Sequence, residues 1–139
     1  MTEAELGEIE ARLAFPLPAS FRSTALSYPF PPDSFADEFM LPNRPRDVID
    51  LNKAGAAVAD IDRPFFVGSD GGEEWYFVDA SQPESPVYVY ELETGRHRVL
   101  VGSWAAYLDH IRDAHAEIEA DDEAARQRKL SKRWWESSK

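Results

Sequence analysis

The clearest hydrophobic pattern lies between Phe65 and Tyr90, where short apolar runs alternate with turn-forming residues. The runs Phe65–Val67, Trp75–Val78 and Val87–Tyr90 are rich in aromatic and β-branched residues, which favour strands. Gly, Asp, Ser and Pro fill the intervals between them. Because these intervals are too short for a crossover helix, the pattern predicts three consecutive antiparallel strands.

Strand alternation assigns the side chains of these runs to two faces of one sheet. Trp75 and Phe77 are predicted on one face of the sheet, and Tyr76 and Val78 on the other. In the next strand, Val87 and Val89 are predicted on the face opposite to that of Tyr88 and Tyr90. Both faces are apolar. The sheet therefore needs cover on both sides, or it uses one face as a binding surface.

Helical periodicity appears before the predicted sheet. Leu6, Ile9 and Leu13 are spaced i, i+3, i+7, which predicts a helix over Glu3–Leu13. A second helix is predicted over Pro18–Ser27, because a proline is well tolerated at the first helical position. We expect both helices to pack on one face of the sheet.

The next segment is less regular. Residues 29–47 are rich in Pro and Asp and predict a loop. Its apolar residues are candidates for a short edge strand or a flap over the sheet: Phe35, Phe39, Met40 and Leu41. A third helix is predicted over Arg46–Val58, with one apolar face formed by Val48, Leu51, Gly55 and Val58.

The C-terminal part predicts a fourth strand and a long helix. His97–Val101 is the strand, and Ser103 is a candidate N-cap for a helix with an apolar stripe at Trp104, Tyr107, Leu108 and Ile111. Since neither Gly nor Pro follows, the helix is predicted to continue for roughly 30 residues, about 45 Å. A domain of this size has a radius of gyration near 14 Å, so the helix is expected to overhang the domain beyond Glu119.

These elements define the predicted fold class and domain division. The fold is α+β, a mainly antiparallel sheet of four to six strands with packed helices and a long C-terminal helix. We assign residues 1–119 to one α+β domain and residues 120–139 to a charged helical C-terminal extension. The length of 139 residues fits one such domain.

Composition narrows the class of protein. The chain is 43% hydrophobic and 29% charged, as in soluble globular proteins, and no apolar run approaches the roughly 18 residues of a membrane span. The acidic start lacks the apolar stretch of a signal peptide. The absence of Cys excludes disulfides and thiol chemistry, and we expect a cytoplasmic location.

The charge is strongly acidic and unevenly distributed. The formal net charge is −11; residues 121–139 hold six Lys/Arg and four Asp/Glu, which leaves nine basic and 22 acidic residues in 1–120. Such a surface repels nucleic-acid phosphates and anionic lipid. Because of this repulsion we expect neither nucleic acid nor membrane as a partner. The same charge attracts basic proteins.

Four carboxylates lie close to the turn before the second strand: Asp70, Glu73, Glu74 and Asp79. Paired carboxylates can perform acid–base chemistry or bind a cation. Their spacing does not match a calcium loop, and Gly71-Gly72 is no phosphate loop because no Lys follows. We favour a solvated turn with exposed acids.

The remaining candidates for chemistry are weak. His97, His110 and His115 are too few and unsuitably spaced for a metal site, and no nucleophile-elbow pattern supports a catalytic triad. We therefore predict no catalytic residue, no metal site and no cofactor.

Aromatic residues are the stronger candidates for binding. Trp75, Tyr76, Tyr88 and Tyr90 form a set that is either core or an interface anchor. Trp134-Trp135 lies beside Lys132 and Arg133 in the tail. This pair either folds back on the domain, contacts another copy as a homodimer, or docks a partner.

Three blocks of the sequence resemble the SUKH superfamily of Smi/Knr-like proteins. The first comprises Ile9–Leu13, Phe15–Pro18, Phe21-Arg22 and Leu26; the second comprises Gly68–Gly72, Trp75–Asp79 and Pro86–Tyr88; the third is Ser103–Leu108. The resemblance spans about Leu6 to Ile111. Tyr28–Pro32 departs from the Asn-Gly-Gly turn common in the family, and Glu73 stands where a Gly is common.

The resemblance implies a non-enzymatic protein-binding module. Bacterial members resemble immunity proteins that neutralise toxins, often nucleases, by direct binding. The alternative is a regulatory or scaffolding protein of the cell-wall assembly regulator type, and a remote alternative is a carboxylate-dependent hydrolase. The expected partner is a basic protein, namely a cognate toxin domain.

We expect recognition to combine an aromatic anchor, Tyr88 or Tyr90, with flanking acids; the Trp pair of the tail is the rival anchor. The predicted partner-binding residues are Asp33, Asp37, Glu38, Asp70, Glu73, Glu74, Tyr88, Tyr90, Glu91, Trp134 and Trp135.

Overall fold

A four-stranded antiparallel sheet forms the centre of the protein. The computed structural model describes residues 1–54 and 57–137, with side chains up to residue 127. The strands lie in the order β1-β2-β3-β4, with β1 at Pro64–Ser69, β2 at Glu74–Asp79, β3 at Val87–Glu91 and β4 at His97–Val101. The predicted strands and their antiparallel order are confirmed.

Helices surround this sheet. They are α1 at Glu3–Leu13, α2 at Ala19–Leu26, a π-helix at Ala36–Met40, α3 at Pro45–Ala54 and α4 at Trp104–Ser137. The first helix begins at a capping box, in which the Thr2 hydroxyl accepts the Glu5 N–H at 3.2 Å and the Glu5 carboxylate accepts the Thr2 N–H at 2.9 Å. The predicted α+β class with a long C-terminal helix is confirmed. Among the described residues, no helix is both long and apolar enough to cross a bilayer.

The inner face of the sheet carries the main core. Side chains from β1, β2 and β3 meet apolar residues of α1, α2 and α4 there. The Phe21 ring of α2 packs edge-on against Phe65 at 4.9 Å. Tyr107 of α4 is completely buried, and its ring lies 5.6 Å from that of Tyr76. Burial of its hydroxyl is compensated because it donates a hydrogen bond to the Met40 carbonyl.

The two edges of the sheet differ. Helix α3 lies along β1, where the Asn52 side-chain amide donates to the Phe66 carbonyl at 2.9 Å and accepts the Phe66 N–H at 2.8 Å. The amide thus replaces a neighbouring strand at this position. No such side chain pairs with β4 among the described residues, and Val99 on that strand is 53% exposed.

Two sequence predictions about the segment before the sheet are corrected. Residues 36–40 form a π-helix instead of an edge strand, because the buried Asp37 carboxylate accepts the backbone N–H groups of Asp33 and Asn43 and closes the loop on itself. Helix α3 ends at Ala54, so Val58 lies beyond it, although Val58 is buried as expected. Gly55 lies outside the described residues.

Helix α4 extends past the domain. Its apolar stripe packs on the inner core at Tyr107 and Ile111 and reaches a half-buried Ile118. From Glu119 to Gln127 every side chain is exposed. The prediction that the Trp134-Trp135 pair binds a partner concerns side chains outside those that the structure describes.

Candidate functional site

The outer face of the sheet, opposite the main core, carries two rows of aromatic and apolar side chains. The strand registers align Trp75, Tyr90 and His97 in one row. They align Phe66, Phe77, Tyr88 and Val99 in the other. This assignment confirms the predicted alternation and gathers rings from all four strands on one surface.

Cover over this face is one-sided. Val58, with the half-buried Leu51 and Ile61, packs over Phe66 and Phe77, which are 2% and 0% exposed. Toward β3 and β4 the cover ends. The side chains left half-buried or exposed, here called the outer aromatic face, are Trp75, Tyr88, Tyr90, His97 and Val99.

Packing against the buried rings holds the outer aromatic face in place. Tyr88 stacks on Phe77 with ring centroids 5.0 Å apart and an interplanar angle of 13°. Trp75 and Tyr90 both approach Phe66 edge-on, at 5.7 and 6.2 Å. Rings that are already fixed lose little conformational entropy when a partner covers them, so this surface is suited to anchor an interface.

A groove lined by carboxylates adjoins Trp75. It lies between the π-helix, α3 and β2, and has a volume of about 280 Å³. Its acidic side chains are Glu38, Asp47 and Asp50, and its apolar wall includes Phe39, Leu51 and Trp75. We call it the acidic groove. The Asp47 carboxylate accepts a hydrogen bond from the Arg44 guanidinium, and the Asp50 carboxylate oxygen lies 3.8 Å from Arg46 Nε. Part of the negative charge of the acidic groove is therefore already compensated.

Two further acids at the outer face were missed by the sequence analysis. Asp60 and Asp62 are exposed on either side of Ile61, which packs against the outer cluster. The sequence signal that could have identified these acids is the alternation Asp60-Ile61-Asp62, which ends one residue before β1. These acids lie in the segment that covers the outer face, and they add to its negative rim.

The predicted acids of the β1–β2 turn take other positions. The Asp70 carboxylate accepts the N–H groups of Gly72 at 2.8 Å and Glu74 at 3.2 Å, which stabilises the turn. Glu74 and Glu91 are cross-strand partners. Glu74 precedes Trp75 and Glu91 follows Tyr90 in sequence. Because Trp75 and Tyr90 lie on the outer face, strand alternation directs the side chains of Glu74 and Glu91 to the inner side. They do not flank Tyr88 and Tyr90 as expected, whereas Glu73 is exposed in the turn.

The predicted partner-binding acids near the π-helix differ in their exposure to solvent. Asp37 is only 5% exposed and pairs with Arg44 at 3.0 Å. Because this carboxylate is engaged in internal contacts, we leave it out of the candidate surface. Glu38 is exposed and lines the acidic groove, while Asp33 is exposed in the preceding loop.

Asp79 has a structural environment. It is 4% exposed, and its carboxylate accepts the Ser81 hydroxyl at 2.6 Å and the N–H groups of Ser81 at 3.0 Å and Arg63 at 3.3 Å. Burial alone raises the pKa of Asp79, but the hydrogen bonds outweigh it and lower the pKa below its ordinary value of 3.8. A carboxylate that is ionised and saturated with donors is suited to holding the β2–β3 loop and not to proton transfer.

The remaining predicted aromatic residue belongs to the core. Tyr76 is 4% exposed on the inner face; burial, with the charges of Asp70 and Glu74, raises its pKa to about 12. Among the side chains of residues 1–54 and 57–127, no group of three or more His, Asp or Glu is arranged to hold a metal ion.

The site therefore consists of the outer aromatic face, with the acidic groove and the exposed acids Asp60 and Asp62 beside it. Comparison with protein-family models, with curated proteins and with solved structures gave no match to this chain.

Proposed function

We propose that this chain is a non-enzymatic protein-binding module that docks a basic protein through its outer aromatic face. The observation that carries the proposal is the one-sided cover of the sheet, which leaves Trp75, Tyr88 and Tyr90 half-buried, with Trp75 also in the wall of the acidic groove. Tyr and Trp are the residues that most often anchor protein interfaces. Fixed rings at the centre and carboxylates at the rim match the usual anatomy of such interfaces.

Charge supports a basic partner. The formal net charge is −11, and residues 1–120 hold 22 acidic against nine basic residues. Charge of one sign raises the rate of encounter with an oppositely charged protein, whereas buried anchors determine the rate of dissociation. We therefore assign long-range attraction to the acidic body and residence time to the aromatic face.

The class of partner that we favour is a bacterial toxin domain, often a nuclease, with this chain as its immunity protein. Support comes from the resemblance of its three sequence blocks to the SUKH superfamily and from the basic clefts that nucleases use to bind phosphates. A cytoplasmic location agrees with this role and with the absence of Cys.

A regulatory or scaffolding role of the cell-wall assembly regulator type uses the same surface and remains the alternative. The neighbouring gene discriminates between them. A large secreted toxin encoded beside this chain favours the immunity role, and its absence favours regulation.

The direct test measures association of the chain with the toxin domain encoded beside it. The association rate is expected to fall steeply as salt shortens the Debye length from about 10 Å at 0.1 M to about 3 Å at 1 M, while the dissociation rate changes little. An association rate that is independent of salt would contradict electrostatic steering. No detectable binding at any salt would contradict the immunity role.

The remote alternative, a carboxylate-dependent hydrolase, has its own test. Asp70, Glu73 and Glu74 are replaced together by Asn or Gln, and the variant is assayed with the wild-type chain for hydrolysis of nucleic acid, peptide and ester substrates. A turnover in the wild type that this variant loses would overturn the binding-module proposal. Because Asp70 accepts two turn N–H groups, a small loss of stability is expected in either case.

A further inference from the structure

Strand β4 forms an edge of the sheet, and no further strand of the described chain pairs with it. Strand β3 lies on its other side, and helix α4 packs on the inner core. At the opposite edge of the sheet, the Asn52 side chain hydrogen-bonds the backbone of β1; β4 has no such contact among the described residues, and its Arg98 and Val99 are exposed. An edge strand in this condition can accept a further strand.

The hydrogen-bonding pattern of the sheet identifies the backbone groups that are free at this edge. The Glu91 N–H donates to the Arg96 carbonyl at 2.9 Å. Because bonded and non-bonded pairs alternate between antiparallel strands, the pair that contains Arg98 is bonded as well. The N–H and C=O groups of His97 and Val99 therefore point away from β3, and they have no hydrogen-bond partner among the described residues.

The two residues with free backbone groups also belong to the outer aromatic face. The His97 ring lies 6.1 Å from the rings of Phe77 and Tyr88, and Val99 is the residue opposite Tyr88 in the strand register. A segment that pairs with β4 brings every second side chain onto the outer side of the sheet, next to these residues. It therefore gains main-chain hydrogen bonds and contact with the outer aromatic face together.

Arg98 indicates which segment fits this edge. It pairs with Val89, which is buried in the inner core, so its side chain lies on the inner side of the sheet. There it is exposed and forms no ion pair with a described carboxylate. A residue directly opposite Arg98 on an added strand is therefore favoured when it is acidic.

The same charge disfavours a second copy of this chain. The antiparallel register that uses all the free groups of both copies sets His97 opposite Val99 of the second copy, and it sets Arg98 opposite the second Arg98. Like charges directly opposite each other destabilise strand pairing. The occupant of this edge is therefore a segment of a different protein.

We infer that β4 accepts an extended segment of the partner protein as a fifth strand, and that this segment carries an acidic residue between two apolar residues. The inference rests on the proposed docking of a basic protein, and it states how that protein is held. The apolar residues lie opposite His97 and Val99, about 4.8 Å beyond β4, and continue the outer aromatic face. The acidic residue lies opposite Arg98 on the inner side. A single acid in this segment is compatible with a partner that is basic overall.

Amide hydrogen exchange tests the pairing of the backbone, with the toxin domain encoded beside this chain as the probe. In the chain alone, the amides of His97 and Val99 are expected to exchange quickly, and the amide of Arg98 slowly because it is bonded to β3. The bound toxin domain is expected to slow exchange at His97 and Val99 by at least about tenfold.

Three other results overturn the inference in different ways. If the toxin domain binds and exchange at His97 and Val99 is unchanged, strand addition is wrong, but docking of a basic protein is retained. If the toxin domain does not bind, the proposed function and this inference fail together. Slow exchange at both amides in the chain alone, with twice the chain mass in light scattering, identifies a second copy as the occupant.

A proline at the edge removes a free N–H group. The Val99 N–H points away from β3, so Val99→Pro keeps the hydrogen bonds between β3 and β4, and proline is tolerated at such edge positions. Urea melts check that the variant is folded. Dissociation of the toxin domain is expected to become at least about tenfold faster. The matched control, Val99→Ala, shortens the side chain but keeps the N–H, and is expected to have a smaller effect. Equal dissociation rates of the two folded variants would contradict strand addition.

Arg98→Glu tests the acidic residue of the added strand. The substitution makes the acidic body more negative, so electrostatic attraction alone predicts faster association with a basic partner. The proposed pairing predicts in addition that dissociation becomes roughly tenfold faster, because an attractive cross-strand pair becomes repulsive. The matched control is Arg12→Glu, an exposed position on α1 with the same change in charge, and its dissociation rate is expected to stay that of the wild type. Equal dissociation rates for Arg98→Glu and Arg12→Glu would overturn the assignment of an acidic residue opposite Arg98.

Discussion

Phe77→Ala is the substitution that most directly tests the core beneath the outer aromatic face. Phe77 is completely buried; its ring centroid lies 5.0 Å from that of the stacked Tyr88 ring and 5.3 Å from that of Phe66. A buried aromatic side chain removes roughly 150–250 Å² from water; at about 25 cal/mol per Å² its transfer contributes about 4–6 kcal/mol. Alanine retains part of this, so Phe→Ala substitutions cost about 3–5 kcal/mol.

The position of Phe77 within the cluster refines that range. Its neighbours Trp75 and Tyr88 are half-exposed, so they have room to move into part of the cavity. Since the cost falls when the surroundings can collapse, we expect a loss of about 3 kcal/mol. Tyr88→Ala is the matched control in the same row. It is expected to cost roughly 1–1.5 kcal/mol, because the Tyr88 side chain is not fully buried.

Urea unfolding followed by tryptophan fluorescence and circular dichroism measures both variants. The midpoint is expected to fall with an unchanged slope, which indicates lost stability and not a change in the surface exposed on unfolding. A loss below about 1 kcal/mol for Phe77→Ala would refute the account, since it would mean that the outer cluster contributes no real core.

Two further predictions concern backbone contact and pH. Gly68→Ala is expected to lower the free energy of unfolding by about 3 kcal/mol in urea melts, the upper part of the overpacking range, because a Cβ there would lie 2.0 Å from the Met40 carbonyl oxygen. Gly7→Ala is the control: nothing lies within 4 Å of a Cβ at that helical position, so this substitution is expected to stabilise the protein. Equal effects of the two substitutions would contradict the close contact at Gly68. Asp79→Asn is expected to cost about 1–3 kcal/mol at pH 7. Because folding lowers the pKa of Asp79, its contribution is present above the unfolded pKa near 3.8 and is lost as pH falls through the lower folded value. The difference between wild type and Asp79→Asn should therefore shrink in melts below about pH 4, and a difference that grows there would contradict the assignment.

The sheet could be predicted because its signal is local. Alternation within Trp75–Val78 and Val87–Tyr90 assigns each side chain to a face without reference to the rest of the chain. The same rule places Glu74 and Glu91 opposite their outer-face neighbours. The expectation that these acids flank Tyr88 and Tyr90 was therefore wrong for a reason already present in the sequence.

The features that were missed depend on contacts distant in sequence. The π-helix at Ala36–Met40 approaches β1 closely only because position 68 has no side chain. The partial cover of the outer face depends on Val58 and Ile61, which lie outside any helix or strand. No local pattern specifies where such a segment will fold, so the sequence predicted two apolar faces but not which one remains open.

The measurement that tests the central claim most directly compares binding of the cognate basic toxin domain to four proteins. They are the wild type, Tyr88→Ala, Leu26→Ala as a control exposed apolar residue on α2, and a chain ending at Glu119. An interface anchor contributes at least about 2 kcal/mol, so Tyr88→Ala is expected to weaken binding roughly 30-fold or more, mainly by faster dissociation. Leu26→Ala and the shortened chain are expected to bind like the wild type. If the chain ending at Glu119 melts normally but no longer binds, while Tyr88→Ala binds fully, the tail carries recognition and the proposed role of the outer aromatic face is wrong.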